Sequence, residues 1–236
     1  MEFRLNPRRI ATGMLFVIAM LASMHVAQLC IYYYVGDSGV FDFVELIDFD
    51  YEANLPSLYS SLAIFFCAVL LWLIAVDKKA SGEAYWHHWL GLAVIFTFLG
   101  VDEAISLHEE IGDLVEAVAW FEAAGYLFFA WVVPYGLLLV VFAVAYSKFV
   151  LALPRKTMFM FVISGCLFIF GAVVIEIISA READLHGSET VYYSVLYTLE
   201  ELCEMIAIVL FSNGLLRYME AEKGTVIFRI GDSEKG

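Results

Sequence analysis

Charge is scarce in this chain: only 17% of its 236 residues are Asp, Glu, Lys or Arg, and only 13 of them are basic. Soluble domains carry about 25% charged residues, so an ordinary water-facing surface is excluded, and no nucleic-acid partner is expected of so acidic a chain. The four cysteines, Cys30, Cys67, Cys166 and Cys203, all fall inside apolar runs and form no CxxC pair. A disulfide framework is therefore not expected, and they read as small core residues. No lysine interrupts the middle of an apolar run, which excludes a retinal linkage, and no run is rich in arginine as a voltage sensor would be. Only His25 lies well inside a run, so facing axial histidines for haem are missing. No repeat of 20–50 residues and no inverted-repeat signal appears. The alternating ten-residue segments of an outer-membrane barrel are absent as well.

What is present is apolar: 62% of residues, gathered into runs of about 20. Each is long enough as a helix to cross a hydrocarbon core of ~30 Å, and lipid leaves helix as the only sensible backbone for such a run. The pattern predicts an all-α integral membrane protein, a six-transmembrane helix bundle with spans at about 10–35, 57–76, 85–104, 126–147, 157–180 and 191–217. Residues 1–220 form one membrane domain and 221–236 a short cytoplasmic tail. Placing both termini inside puts twelve of the thirteen basic residues in the cytoplasm, with only Arg181 outside. So one-sided a distribution fixes the orientation and supports the count, since adding or losing one helix scrambles it. The first run is too long for a secretory h-region and lacks a small-residue cleavage site, so it reads as retained.

Twenty of the twenty-seven carboxylates then fall on the outer side. The first outer loop, 37–57, alternates acids with Phe, Val, Leu and Ile, and is expected to lie on the membrane surface or cap the outer face. The second, 113–125, carries Leu114, Ala117, Val118 and Phe121 at helical spacing, as a short interfacial helix would. Pro134 is expected to kink the fourth span. Residues 225–230 read as a strand-like run able to pair with a partner edge, or as disordered chain.

Some acids sit inside the spans, where an ionisable group costs several kcal/mol unless paired, protonated or wet, and reads as functional by default. At 100° per residue, Tyr193, Tyr197, Glu200, Glu201 and Glu204 form one stripe on the sixth span, continued toward the cytoplasm by the apolar Ile208, Phe211 and Leu215. On the third, Asp102, Ser106, Glu109 and Asp113 share a face, with Glu103 and Glu110 about a quarter-turn away. Glu176 lies near the outer end of the fifth, above Ala172, Ile169 and Gly165. His25 and His186 fall at comparable depths. The expected site is therefore Asp102, Glu103, His108, Glu109, Glu176, Glu200, Glu201 and Glu204, supported by His25, Ser106, His186, Tyr193 and Tyr197. So many carboxylates cannot all ionise without a compensating charge: either protons or a cation must neutralise them. Oxygen-rich ligation with one or two imidazoles suits Ca²⁺, Mn²⁺, Mg²⁺ or iron, and suits zinc poorly. The Glu-x-x-His pair of di-iron bundles is missing, because Ile105 stands three residues before His108.

The segments 100-GVDEAISLHEE-110 and 198-TLEELCEM-205, with a lone glutamate in the preceding span, resemble a pattern of uncharacterised small bacterial six-span inner-membrane proteins. The resemblance covers the third to sixth spans. It implies a bacterial inner-membrane location with the acidic face periplasmic, and supplies no activity. The Ser, His and Asp pattern of ceramidase-like membrane hydrolases is not seen. Three functions stay open. The first is divalent-cation or proton binding coupled to transport or conduction. The second is a metal-dependent enzyme acting on a lipophilic substrate. The third is a receptor or assembly subunit with a cationic partner. The dry inner half argues against a ready-made pore; conduction then requires a rearrangement or the axis of a homo-oligomer.

Overall fold

A computed structural model describes residues 2–35, 45–119, 125–127, 130–224 and 227–229. The chain is helical. Helix α1 spans Pro7–Val35, α2 Leu55–Ala80, α3 Trp86–Ile105, α4 Leu107–Ala119 and α5 Val132–Ala152. Then α6, Arg155–Ile169, passes through a π turn at Phe170–Ile175 into α7, Glu176–His186, and α8 runs over Val191–Lys223. A 3₁₀ turn lies at Gly125–Leu127.

The helix ends follow from local chemistry. Pro7 opens α1, where its missing N–H loses no bond, and Asn6 Oδ1 accepts from Arg9 N at 3.1 Å. Asn54 caps α2 by accepting from Ser57 N, again with proline in the first turn, and Thr190 caps α8 by accepting from Tyr193 N at 3.0 Å. Gly187, at φ +83°, ends α7. Pro134 sits in the first turn of α5, after Trp131 and Val132, where no helical bond is lost. The kink expected there is therefore not found.

The long helices run alternately between two ends of the molecule. At one end, which carries most of the basic residues, Trp89 stacks on Tyr218 and meets Phe149 edge-on. There Lys78 is paired at 2.8 Å with both Glu83 and Glu222. Above this, Phe211 packs between Phe96 and Phe161 in a core shared by α2, α3, α6 and α8. A second core, of Ile18, Leu21, Phe49, Tyr193, Tyr197, Met205 and Val209, joins α1, α8 and the loop before α2.

Among the described residues five helices are long and apolar enough to cross a membrane: Pro7–Tyr34, Leu55–Ala80, Trp86–Ile105, Val132–Ala152 and Arg155–His186. Large apolar side chains such as Phe16, Leu137, Val144 and Leu151 project outward. A lipid solvent accounts for that surface, and the set fits a multi-pass membrane protein. Helix α8 is longer than these, at 33 residues, and is not among the five.

Three differences from the sequence reading bear on the site. The second acidic segment forms its helix earlier, over Leu107–Ala119, and residues 120–124 lie outside the described ones. Residues 36–44 of the first outer loop also lie outside them. The strand-like run pairs within the chain: Ile227–Arg229 lies antiparallel to Glu2–Arg4, with Phe3 opposite Phe228. This adds a two-stranded ribbon to the helices and gives the run a partner within the chain. The rest of the tail beyond 229 is outside the described residues.

Candidate functional site

Asp102 lies in the last turn of α3, where Ser106 takes the left-handed conformation (φ 54°, ψ 42°) and breaks the helix. The chain restarts at once as α4. Asp102, Ser106, Glu109 and Asp113 therefore do not share one face, because the face they were read on requires an unbroken helix. Asp102 spans the break instead: its Oδ1 accepts His108 N at 2.7 Å and its Oδ2 accepts the Tyr135 hydroxyl at 3.3 Å. The break folds His108 back, with Nδ1 3.4 Å from Asp102 Oδ1 and Nε2 3.9 Å from Glu52 Oε1.

On the other side, the π turn carries Glu176 to α8. Gly171, within that turn, lies so close to α8 that a Cβ would stand 2.9 Å from Glu200 O and 3.1 Å from Glu204 Cγ. The extra residue in the turn also undoes the expected stack of Glu176 over Ala172, Ile169 and Gly165; Gly171 and Ile175 are the buried positions. Glu176 accepts from Trp131 Nε1 at 3.3 Å, and its carboxyl meets that of Glu200 within hydrogen-bonding reach. Glu201 and Glu204 follow on α8, near enough to Glu103 and Glu52 to interact with them electrostatically, as Glu201 does with His108. Glu200 is buried, and Glu103, Glu201 and Glu204 are half-buried. Among the described residues no lysine or arginine is ion-paired with any of them. Arg181 instead lies over the Tyr126 ring, 4.5 Å from its centroid.

Beside this centre is a second network, hung on His25. The imidazole is fully buried, stacks on Phe49 at 4.4 Å and places Nε2 2.9 Å from Thr198 Oγ1. Asp48 Oδ1 is 3.5 Å from Nδ1. Hydroxyl, imidazole and carboxylate in this order imitate a nucleophilic triad, but the protons are wrongly placed for one. Phe49 N–H donates to Nδ1 at 3.3 Å, so Nε2 carries the ring proton and donates to Thr198, whose hydroxyl donates to Ser194 O at 2.5 Å. A base must accept the hydroxyl's proton. Here the imidazole gives one, so the network braces α1, α8 and the loop. Gln28 Nε2 donates to Asp48 Oδ2 at 2.9 Å, and Asn54 Nδ2 donates to Asp48 O at 2.5 Å.

Next to it Tyr193 donates to Asp50 Oδ1 at 3.0 Å. Desolvation by the surrounding protein pushes the solvent-touching Asp50 carboxyl up to about 6, with the Tyr193 bond opposing the rise and Asp48, Glu176 and Glu189 adding to it.

Over residues 10–218 the sequence matches a family described as a domain of unknown function, DUF8692. The chain belongs to that family. No curated protein and no solved structure matches it. The family description assigns no chemistry, so the site must be judged on its own residues.

Of the expected site, Asp102, Glu103, His108, Glu176, Glu200, Glu201 and Glu204 come together. The side chain of Glu109 lies outside the described residues. Ser106 serves as the turn. Tyr193 and Tyr197 join the bracing networks: Tyr197 packs 5.6 Å from the His25 ring. His186 does not reach the centre. It stands at the exposed end of α7, with Nδ1 3.0 Å from Glu182 one turn back. Sequence reasoning missed Glu52, Asp48, Asp50, Trp131, Tyr135 and Thr198. A signal for the first three existed, since Ile47, Asp48, Phe49, Asp50, Tyr51 and Glu52 alternate strictly. Among the described residues no three His, Cys, Asp or Glu side chains are gathered around one point as metal ligands. The carboxylates adjoin one another without closing a coordination shell.

Proposed function

We propose that this chain is a six-span inner-membrane protein of bacterial type, with both termini in the cytoplasm. In this reading its acidic centre takes up a divalent cation or protons from the outer side, in the service of cation movement across the bilayer. The observation that carries the reading is the gathering of Glu200 and Glu204 where Gly171 meets α8, and of Asp102 and Glu52 about His108, with no lysine or arginine ion-paired to Glu103, Glu200, Glu201 or Glu204 among the described residues. Like charges gathered in a low dielectric favour neutralisation, and mobile cations or protons can supply it.

The pairing of residues 2–4 with 227–229 supports an even number of crossings, since both ends lie on one side. The distribution of lysine and arginine supports the reading of that side as cytoplasmic. The aromatic and aliphatic seal of Phe96, Phe161, Phe211 and Leu215 beneath the centre supports a site that opens outward and passes its cargo by rearrangement.

The test is elemental analysis of purified protein, with Ca²⁺, Mn²⁺ and H⁺ flux into proteoliposomes, for wild type and a Glu201→Gln, Glu204→Gln double variant. Wild type is expected to bind or move one of these cations, and the double variant to lose at least ten-fold of it, about 1.4 kcal/mol of binding. Equal binding and equal flux in the two proteins would remove the proposal.

A further inference from the structure

Helix α5 is held differently from every other long helix. Along its 21 residues only Val132 and Phe149, near its two ends, are buried. Between them Leu137, Leu138, Val140, Val141 and Val144 are all more than half exposed. Lipid tolerates this, because a helix satisfies its own backbone and needs no neighbour to do so. Position is then decided at the ends.

The ends are unlike. At the basic end Phe149 is enclosed by Tyr85, His88, Trp89 and Tyr146, an apolar anchor with no ionic component. At the acidic end Val132 is buried and Trp131 packs against Gly112, and the polar fastenings among the described residues are two hydrogen bonds to carboxylates of the centre, Trp131 Nε1 to Glu176 and the Tyr135 hydroxyl to Asp102, both 3.3 Å. The His108 ring stands edge-on to Trp131 at 5.2 Å, with its Nδ1 3.4 Å from Asp102 Oδ1.

We infer that α5 is a side door to the acidic centre, pivoting on Phe149 and latched by Trp131 and Tyr135, and that a cation seated on the carboxylates releases the latch. A bond to an ionised acceptor is roughly twice as strong as one to a neutral acceptor. A cation that neutralises Asp102 and Glu176 thus weakens both fastenings together while leaving the aromatic anchor untouched. The second half of this inference rests on the cation-binding reading; the latch itself does not.

The test uses full-length protein in lipid nanodiscs, with Cys30, Cys166 and Cys203 replaced by alanine and the fully buried Cys67 kept. One nitroxide pair at Leu137→Cys and Val195→Cys reports on the latched end, and another at Leu151→Cys and Phe159→Cys on the anchored end. In a Trp131→Phe, Tyr135→Phe background the first pair is expected to gain a population longer by on the order of 5 Å, about one helical turn. The second pair should stay unchanged. Saturating Ca²⁺ should draw the protein with Trp131 and Tyr135 intact toward the same distribution. An unaltered first pair in the Phe background overturns the latch. A widened pair there, with no response to Ca²⁺ in protein shown to bind Ca²⁺, overturns the coupling. If no Ca²⁺ is bound, the cation reading fails for that ion and the Phe background alone decides the latch.

Discussion

Asp102 caps a helix that starts beyond its own: its Oδ1 holds the backbone N–H of His108 at 2.7 Å across the left-handed turn at Ser106. One carboxylate thus fixes the break, the first turn of α4 and the direction of an imidazole. Asp102→Ala should cost about 1–2 kcal/mol, the usual range for a lost cap, and speed amide exchange in residues 107–110. Asp102→Asn keeps an acceptor oxygen and should lose much less. Equal losses in thermal unfolding would mean that the cap carries no weight.

Ser106 itself sits where side chains with a branched Cβ fit badly. Ser106→Gly should leave the unfolding temperature nearly unchanged, whereas Ser106→Val should lose about 1–2 kcal/mol, the order of the left-handed penalty. A valine variant as stable as the glycine one would place the turn elsewhere in solution.

Gly171 and Gly165 make a matched pair on one helical rod. At Gly171 an added methyl meets the backbone of Glu200 at 2.9 Å, while at Gly165 it meets nothing within 4 Å. Gly171→Ala should therefore destabilise by about 1–3 kcal/mol and disturb Glu204. Gly165→Ala should be neutral or stabilising by up to about 1 kcal/mol, as alanine is in a helix interior. Unfolding of the two variants in the same nanodiscs reads the difference directly.

Asp50 supplies a pH dependence with a defined sign. Its carboxyl is raised to about 6 in the folded chain from an ordinary value of 3.8. Between those values the folded state holds the proton more tightly than the unfolded one, so acidification through this window favours folding. Relative to Asp50→Asn, wild type should gain stability as pH falls from 7 to 5. Its solvent contact screens the effect, so the comparison is one of slope. Parallel pH profiles would show that Asp50 titrates as it does in the unfolded chain.

Five of the six runs read from hydropathy meet helices long and apolar enough to cross a membrane, and the sixth meets α8, because length and apolar continuity are local properties of a chain. Seven of the eight expected site residues also meet, since acids that lipid will not solvate must face inward wherever they occur. What the sequence could not carry was adjacency. The pairing of Glu52 with His108 joins residues 56 apart through a loop, and no periodicity encodes it. Two local features were also unmarked. Serine at 106 gives none of the warning that glycine would for a left-handed turn, and the π turn lies in the run FGAVVI, which reads as any apolar helix. Both redirect a side chain of the candidate site, so the differences from the sequence reading concentrate there.

The π turn leaves a mark that needs no view of Glu176 at all. A wide turn advances the chain by about one residue more than an α turn, so the helix after it is rotated by roughly 100° against the helix before it. A spin label walked from Arg155 to His186 and scored for contact with lipid would trace two waves of the same period, out of step across residues 170–175. An uninterrupted wave would belong to a molecule in which α7 turned its acid toward the lipid.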